Sequence, residues 1–161
     1  MARGRPSGGA LSIELRIPPP LVVLVAGVLM WLASLALPWP SSAPGQLFVA
    51  VLVAAAGIAV VVAGLLEFRR ARTTVNPLKP ETASSLVERG IYRFTRNPMY
   101  LGMALALAGW GIWLASAAAL LVLPLFVAYM TRFQIIPEER ALAATFGEAF
   151  DGYRRRVPRW L

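Results

Sequence analysis

From Asn97 to Thr131 the chain runs for 35 positions without one charged side chain. As a single α-helix this stretch would be roughly 52 Å long, against a bilayer hydrocarbon core of about 30 Å. It therefore has to fold back. The reversal is placed between Gly109 and Ser116, predicting one short span from Pro98 to about Leu114 and another from about Ala117 to Ile135. Two further apolar runs precede it, Leu21 to Leu37 and Gln46 to Leu66. The first is long for a signal-peptide core and a second span follows it closely, so it reads as a retained span.

The charges are confined to the segments between these runs and at the chain ends. Three basic residues precede the first run, seven lie between the second and third, six follow from Arg132 onward, and the two other turns have none. By the positive-inside rule this predicts four crossings as two helical hairpins, with both termini and the long polar loop in the cytoplasm. The eight acidic residues fall on the same side, and no span carries a charge in its middle. That weighs against an ion-coupled exporter, which needs an intramembrane charge. The net charge of +8 follows the spans, so it reads as interfacial and not as a nucleic-acid patch. With 58% apolar residues and a mean hydropathy of +0.63, the expected fold class is an all-α, multi-pass integral membrane protein.

Absent residue types narrow the chemistry. There is no Cys and no His, which removes thiol catalysis, zinc–thiolate sites and the commonest metal ligand and general base, so no metal is expected. The fifteen Arg against one Lys, with abundant Ala, fit a GC-rich prokaryotic genome and hence a prokaryotic inner membrane.

The chain divides into a basic leader at 1–20, a first transmembrane hairpin at 21–66, and residues 67–161 as the part that carries chemistry. Pro38 to Gly45, with Trp39, forms an uncharged turn within the first hairpin. Gly57 and Gly64, with Ala50 and Ala54, share one helix face that allows a neighbouring helix to approach closely. In the third part, Asn76-Pro77 and Lys79-Pro80 break helix, Ser84 to Val87 reads as a short extended piece, and Gly90 marks a turn. Asn97-Pro98 is a helix start, because Asn can cap free N–H groups and Pro fits the first helical position. An anionic ligand group is favoured at such an end, with Arg93 and Arg96 close by. Pro137 ends or kinks the last span. Leu142, Phe146, Phe150 and Tyr153 then recur at helical spacing, giving a face that lies on the bilayer or on the protein, and the terminal arginines are placed at anionic headgroups. The two ends of the second hairpin should bring Asn97–Tyr100 near Glu138-Glu139.

Those residues carry a resemblance. Gly90-Ile-Tyr-Arg-Phe-Thr-Arg-Asn-Pro-Met-Tyr-Leu-Gly102, then Glu138-Glu139-Arg140, then Phe146-Gly-Glu-Ala-Phe-Asp-Gly-Tyr-Arg-Arg-Arg-Val-Pro158 are similar to the isoprenylcysteine carboxyl methyltransferase and phospholipid methyltransferase family of integral membrane enzymes. The likeness covers roughly Lys79 to Pro158. It implies methyl transfer from S-adenosylmethionine, leaving S-adenosylhomocysteine, in a pocket at the cytoplasmic end of the helices. The resemblance assigns the cofactor to Ser85, Leu86, Val87, Tyr92, Asn97, Pro98, Met99, Tyr100 and Glu138. Catalytic roles fall to Glu138, Glu139, Tyr100 and Arg96, and acceptor contacts to Gln134 and Arg140. Two departures matter: Asn97 stands where the family most often has His, and Gln134 stands where the prenylcysteine enzymes have an Arg implicated in holding the substrate carboxylate. The expected acceptor is lipophilic and prenylcysteine-carboxylate-like, with membrane lipids as partners. A phospholipid amine or small thiol acceptor, or a non-catalytic scaffold of the same fold, are the alternatives.

Overall fold

In a computed structural model of the chain the described residues are 14–36, 43–71 and 85–161. The leader before Glu14, the turn with Trp39, the breaker pairs Asn76-Pro77 and Lys79-Pro80, and Ser84 lie outside them. The described residues are helical and contain no strand. Helices α1 (Pro19–Ala36), α2 (Gln46–Arg70), α3 (Pro98–Trp113), α4 (Ala117–Leu120), α5 (Val122–Met130), α6 (Ile136–Phe146) and α7 (Glu148–Arg156) come in that order. A 3-10 turn at Gly90–Arg93 precedes α3, and a π-helical turn at Thr131–Ile135 joins α5 to α6.

Three helices among these residues are long and apolar enough to cross a membrane: α1 at 18 residues, α2 at 25, and the continuous 30-residue rod from Ala117 to Phe146. Helix α3 has 16 residues and spans about 24 Å. The reversal before the rod comes at Leu114 to Ser116, where Ala115 adopts φ +49° and the Ser116 hydroxyl caps α4 by accepting from the Ala119 N–H. Helix α3 ends, and α4 begins, within a residue of the sequence expectation.

Packing departs from the hairpin grouping. The principal partner of α2 is α3, while α1 rests on α3, α4 and α5. Glycine explains the choice. A Cβ on Gly57 would sit 2.5 Å from the Gly102 carbonyl and 2.7 Å from the Ala106 N–H, and one on Gly109 would sit 2.7 Å from the Ala50 carbonyl. The small-residue face foreseen on α2 is thus the seam with α3, where backbone meets backbone at Gly57, Gly102 and Gly109 with the Ala54, Val61 and Leu105 side chains packed beside them. On its other side α3 buries Tyr100 and Leu107 in a cluster with Ala26, Met30, Ala119, Phe126, Met130 and Ile135.

Pro137 does not end the rod. A proline lacks the N–H that an α-helix would direct to the carbonyl of Phe133, and the π-helical turn immediately precedes it. The freed Phe133 carbonyl accepts instead from the backbone N–H of Leu15, at 3.1 Å. The C-terminal amphipathic stretch is two helices, α6 and α7, broken at Gly147. Its apolar face lies on the protein: Phe150, Tyr153 and Val157 bury against Leu86, Leu142 and Phe146.

Candidate active site

The end of α2, the start of α3 and the start of α6 converge at one end of the molecule. Gly64 lets α2 lie against Pro98 and Met99; a Cβ there would be 3.1 Å from the Met99 side chain and 3.6 Å from the Tyr92 hydroxyl. Tyr100, buried on the first turn of α3, donates its hydroxyl proton to Glu138 Oε2 at 3.1 Å. This is the juxtaposition of the two hairpin ends that the sequence called for. Tyr92 is buried beside them, its backbone carbonyl accepting from the Tyr153 hydroxyl at 2.8 Å. Burial first, and the Glu138 charge second, hold the Tyr92 hydroxyl above the usual phenol range, so it remains a donor.

The two adjacent glutamates have opposite surroundings. Glu139 is held by Arg96 at 2.6 Å and by Arg159 at 2.6 and 3.1 Å. Glu138, among the described residues, has only the Tyr100 hydroxyl. A half-buried carboxylate without a cation is costly unless a ligand supplies a donor. Glu139 is an ion-pair anchor; Glu138 is the open acceptor.

Arg96, assigned a catalytic role from the sequence, is instead tied into the protein itself. It donates to Glu139, to the Val157 carbonyl at 2.6 Å and to the Arg154 carbonyl at 3.0 Å, with its side chain only 8% exposed. Asn97 does not cap α3. Its Nδ2 donates to the Arg159 carbonyl at 2.9 Å, because the strap Val157–Trp160 lies across the loop there. The same strap accepts the Arg96 N–H through Pro158 at 3.0 Å, and Trp160 donates to the Thr131 hydroxyl at 3.1 Å. Among the described residues, Asn97 therefore gives the first turn of α3 no side-chain cap.

The remaining assignments divide. Ser85 has a buried hydroxyl with no hydrogen-bond partner among the described residues, and Val87 is buried. Leu86 packs into the Phe150–Tyr153 cluster. Gln134 is fully buried and donates to the Ile17 carbonyl at 2.7 Å, with its Oε1 unpaired among the described residues. Arg140 is drawn away from the Tyr100–Glu138 pair into an ion pair with Glu14 at 2.8 Å, which Arg132 shares at 2.6 Å. Of the terminal arginines, Arg156 pairs with Glu88 and Arg154 with Asp151. The sequence reading placed Arg159 with the other terminal arginines at lipid headgroups, whereas it pairs with Glu139, and it did not single out Glu14; each meets the motif only through the fold.

These features define a class: a helical integral membrane protein whose polar side chains converge at one end of its apolar helices. Comparison supplies the particular family. The chain belongs to the phospholipid methyltransferase family, whose model matches residues 45–149, from the start of α2 into α7. Over 63 residues it is 38% identical to a protein of Haemophilus influenzae described as uncharacterized, a match covering 39% of this chain and 100% of that one. Over 73 residues it is 32% identical to the protein-S-isoprenylcysteine O-methyltransferase of Schizosaccharomyces pombe, covering 45% of this chain and 31% of the yeast protein. No solved structure matches significantly.

Proposed function

We propose that the protein is an S-adenosylmethionine-dependent membrane methyltransferase acting on a lipophilic acceptor at the cytoplasmic surface of a prokaryotic inner membrane. The observation that carries this reading is the Tyr100–Glu138 pair, a carboxylate oriented by a buried hydroxyl and left without a cation among the described residues. The residues present fit the cofactor's chemistry. Glu138 can accept from its ammonium or ribose hydroxyls, the uncapped first turn of α3 suits its carboxylate, Ser85 offers an unpaired hydroxyl, and Tyr92 adds a buried donor. When bound, S-adenosylmethionine supplies an electrophilic methyl group whose transfer is an in-line displacement. The protein's part is then orientation and exclusion of water, which suits a chain without Cys or His.

Family membership and the yeast relative support methyl transfer, and the family's description favours one class of acceptor. Arg96 and Arg159 are committed to Glu139, and Arg132 and Arg140 to Glu14, so a prenylcysteine-like carboxylate would depend on exposed Arg93, on the turn before α3. The acceptor we favour is a lipid amine, which gives its proton to solvent at the membrane surface before the nitrogen attacks, Glu138 being engaged by the cofactor. Four crossings, with α3 as the short one, would put both termini and this site in the cytoplasm. We place the catalytic part at α2 and everything C-terminal to it, because α2 lays Gly64 against Pro98 and Met99.

The test is transfer of labelled methyl from S-adenosylmethionine by detergent-solubilised protein. A phospholipid with a primary-amine headgroup, a prenylcysteine and a short water-soluble thiol would be offered in parallel. Label in the amine lipid, reduced at least tenfold by Glu138→Gln, is expected; label only in the soluble thiol would refute the lipophilic acceptor.

A further inference from the structure

Residues 14–17 precede α1 and lie outside the stretch matched by the family, yet they are attached to the rod just before Glu138. Four bonds make the attachment. The Leu15 N–H donates to the Phe133 carbonyl at 3.1 Å, and the Ile17 carbonyl accepts from Gln134 at 2.7 Å. Glu14 binds Arg132 at 2.6 Å and Arg140 at 2.8 Å, one residue on either side of the segment that contains Phe133 to Glu139. Leu15 adopts φ +57°, a left-handed conformation that a leucine enters only when its surroundings hold it there.

The position of this attachment is set by chemistry. Pro137 deprives the Phe133 carbonyl of its helical donor, and Leu15 supplies the replacement. The π-helical turn beside it carries about one extra residue, which rotates the residues beyond the turn by about 100° relative to an uninterrupted α-helix. Glu138 is the next residue after Pro137, and its direction decides whether it meets Tyr100. π-Helical turns are maintained only where something satisfies the backbone they disrupt.

We propose that Glu14–Ile17 is a positioning element for the candidate site: by satisfying the Phe133 carbonyl it stabilises the π-helical turn and so holds Glu138 toward Tyr100. Leu15 acts through its backbone, and it touches neither cofactor nor acceptor. The inference rests on the reading of Glu138 as a cofactor ligand.

The experiment is a mutant cycle on the full chain in detergent, combining Leu15→Pro, which removes the N–H and cannot take the φ of +57° and so detaches the segment, with Pro137→Ala, which restores an internal donor to Phe133. Two readouts are taken, amide exchange at Leu15 and affinity for S-adenosylhomocysteine. Leu15 should be protected in the wild type and exchange fast in Pro137→Ala, where its acceptor is taken. Leu15→Pro should weaken S-adenosylhomocysteine binding by roughly three- to tenfold in the wild-type background and by less than twofold once Pro137→Ala is present, since coupled sites do not add. Equal effects of Leu15→Pro in both backgrounds, or an unchanged affinity with tight binding retained, would overturn the positioning role while leaving the cofactor reading intact. An unprotected Leu15 amide in the wild type would overturn it too. Failure of the wild type to bind S-adenosylhomocysteine would remove both.

Discussion

The α2–α3 seam makes a prediction with a built-in control. In Gly57→Ala the new Cβ meets the Gly102 carbonyl at 2.5 Å and the Ala106 N–H at 2.7 Å, whereas ordinary contact begins near 3.4 Å. Both obstacles are backbone and cannot rotate aside. The helices must separate by about 0.7–1 Å, and a gap of that size forfeits a quarter to a half of each affected dispersion contact. Overpacking of this kind costs about 1–3 kcal/mol, or roughly 2–12 °C in Tm for a chain of this size. Gly27→Ala, on α1, is the counterpart. Its Cβ would meet only Leu107, at 3.9 Å, so the helix-propensity gain of about 0.5–1 kcal/mol should survive and raise Tm slightly. Thermal unfolding in one detergent, followed by circular dichroism, reads both. Equal shifts of the same sign would refute the claim that this seam is a backbone-to-backbone contact.

The site yields three further outcomes. Arg96→Gln strands two carbonyls and half of the Glu139 ion pair, so it should lower stability by about 2–4 kcal/mol in the same melts and, by loosening the end of α7, speed tryptic cleavage at the already exposed Arg154 to Arg156. Glu138→Gln and Glu139→Gln should separate: the first weakens cofactor binding with little change in Tm, and the second lowers Tm by loosening the strap through Arg96 and Arg159. The Arg132 hydrogen bond, foremost among the causes, holds the Glu14 carboxyl below its ordinary value of about 4.5. A depressed acid contributes fully above that value and loses its contribution as pH falls through the lower, folded one. Protection of the Leu15 amide should therefore be flat from pH 8 to about pH 5 and decline only in stronger acid, read as protection factors against intrinsic exchange.

The features legible in the sequence had local causes. The helix start at Asn97-Pro98, the reversal before Ala117 and the small-residue face of α2 each arise from residues within a few positions of one another. The meeting of Tyr100 with Glu138 came from topology, because the chain reverses at Leu114 to Ser116 and the start of α6 returns to the start of α3. The partner of α2 was not legible. A glycine face states that something approaches closely, and only the matching glycines Gly102 and Gly109 on α3 decide what. Asn97 had the residue type of a cap, but the Arg159 carbonyl, 62 positions away, claims its side chain. Pro137 was visible as a helix breaker, while the Leu15 N–H that makes the break tolerable could not be read from spacing. Likewise the motif held Arg96 and Glu139 without revealing that they bind each other and the C-terminal strap.

The central claim is that Glu138, oriented by Tyr100, holds S-adenosylmethionine. Calorimetric titration of the full chain in detergent with S-adenosylhomocysteine, wild type beside Glu138→Gln, tests it most directly. The account predicts micromolar binding to the wild type, stabilisation of about 2.7 kcal/mol at a hundredfold excess over Kd, and at least tenfold weaker binding to the variant. No heat and no stabilisation in the wild type, or equal affinity in the two proteins, would contradict it.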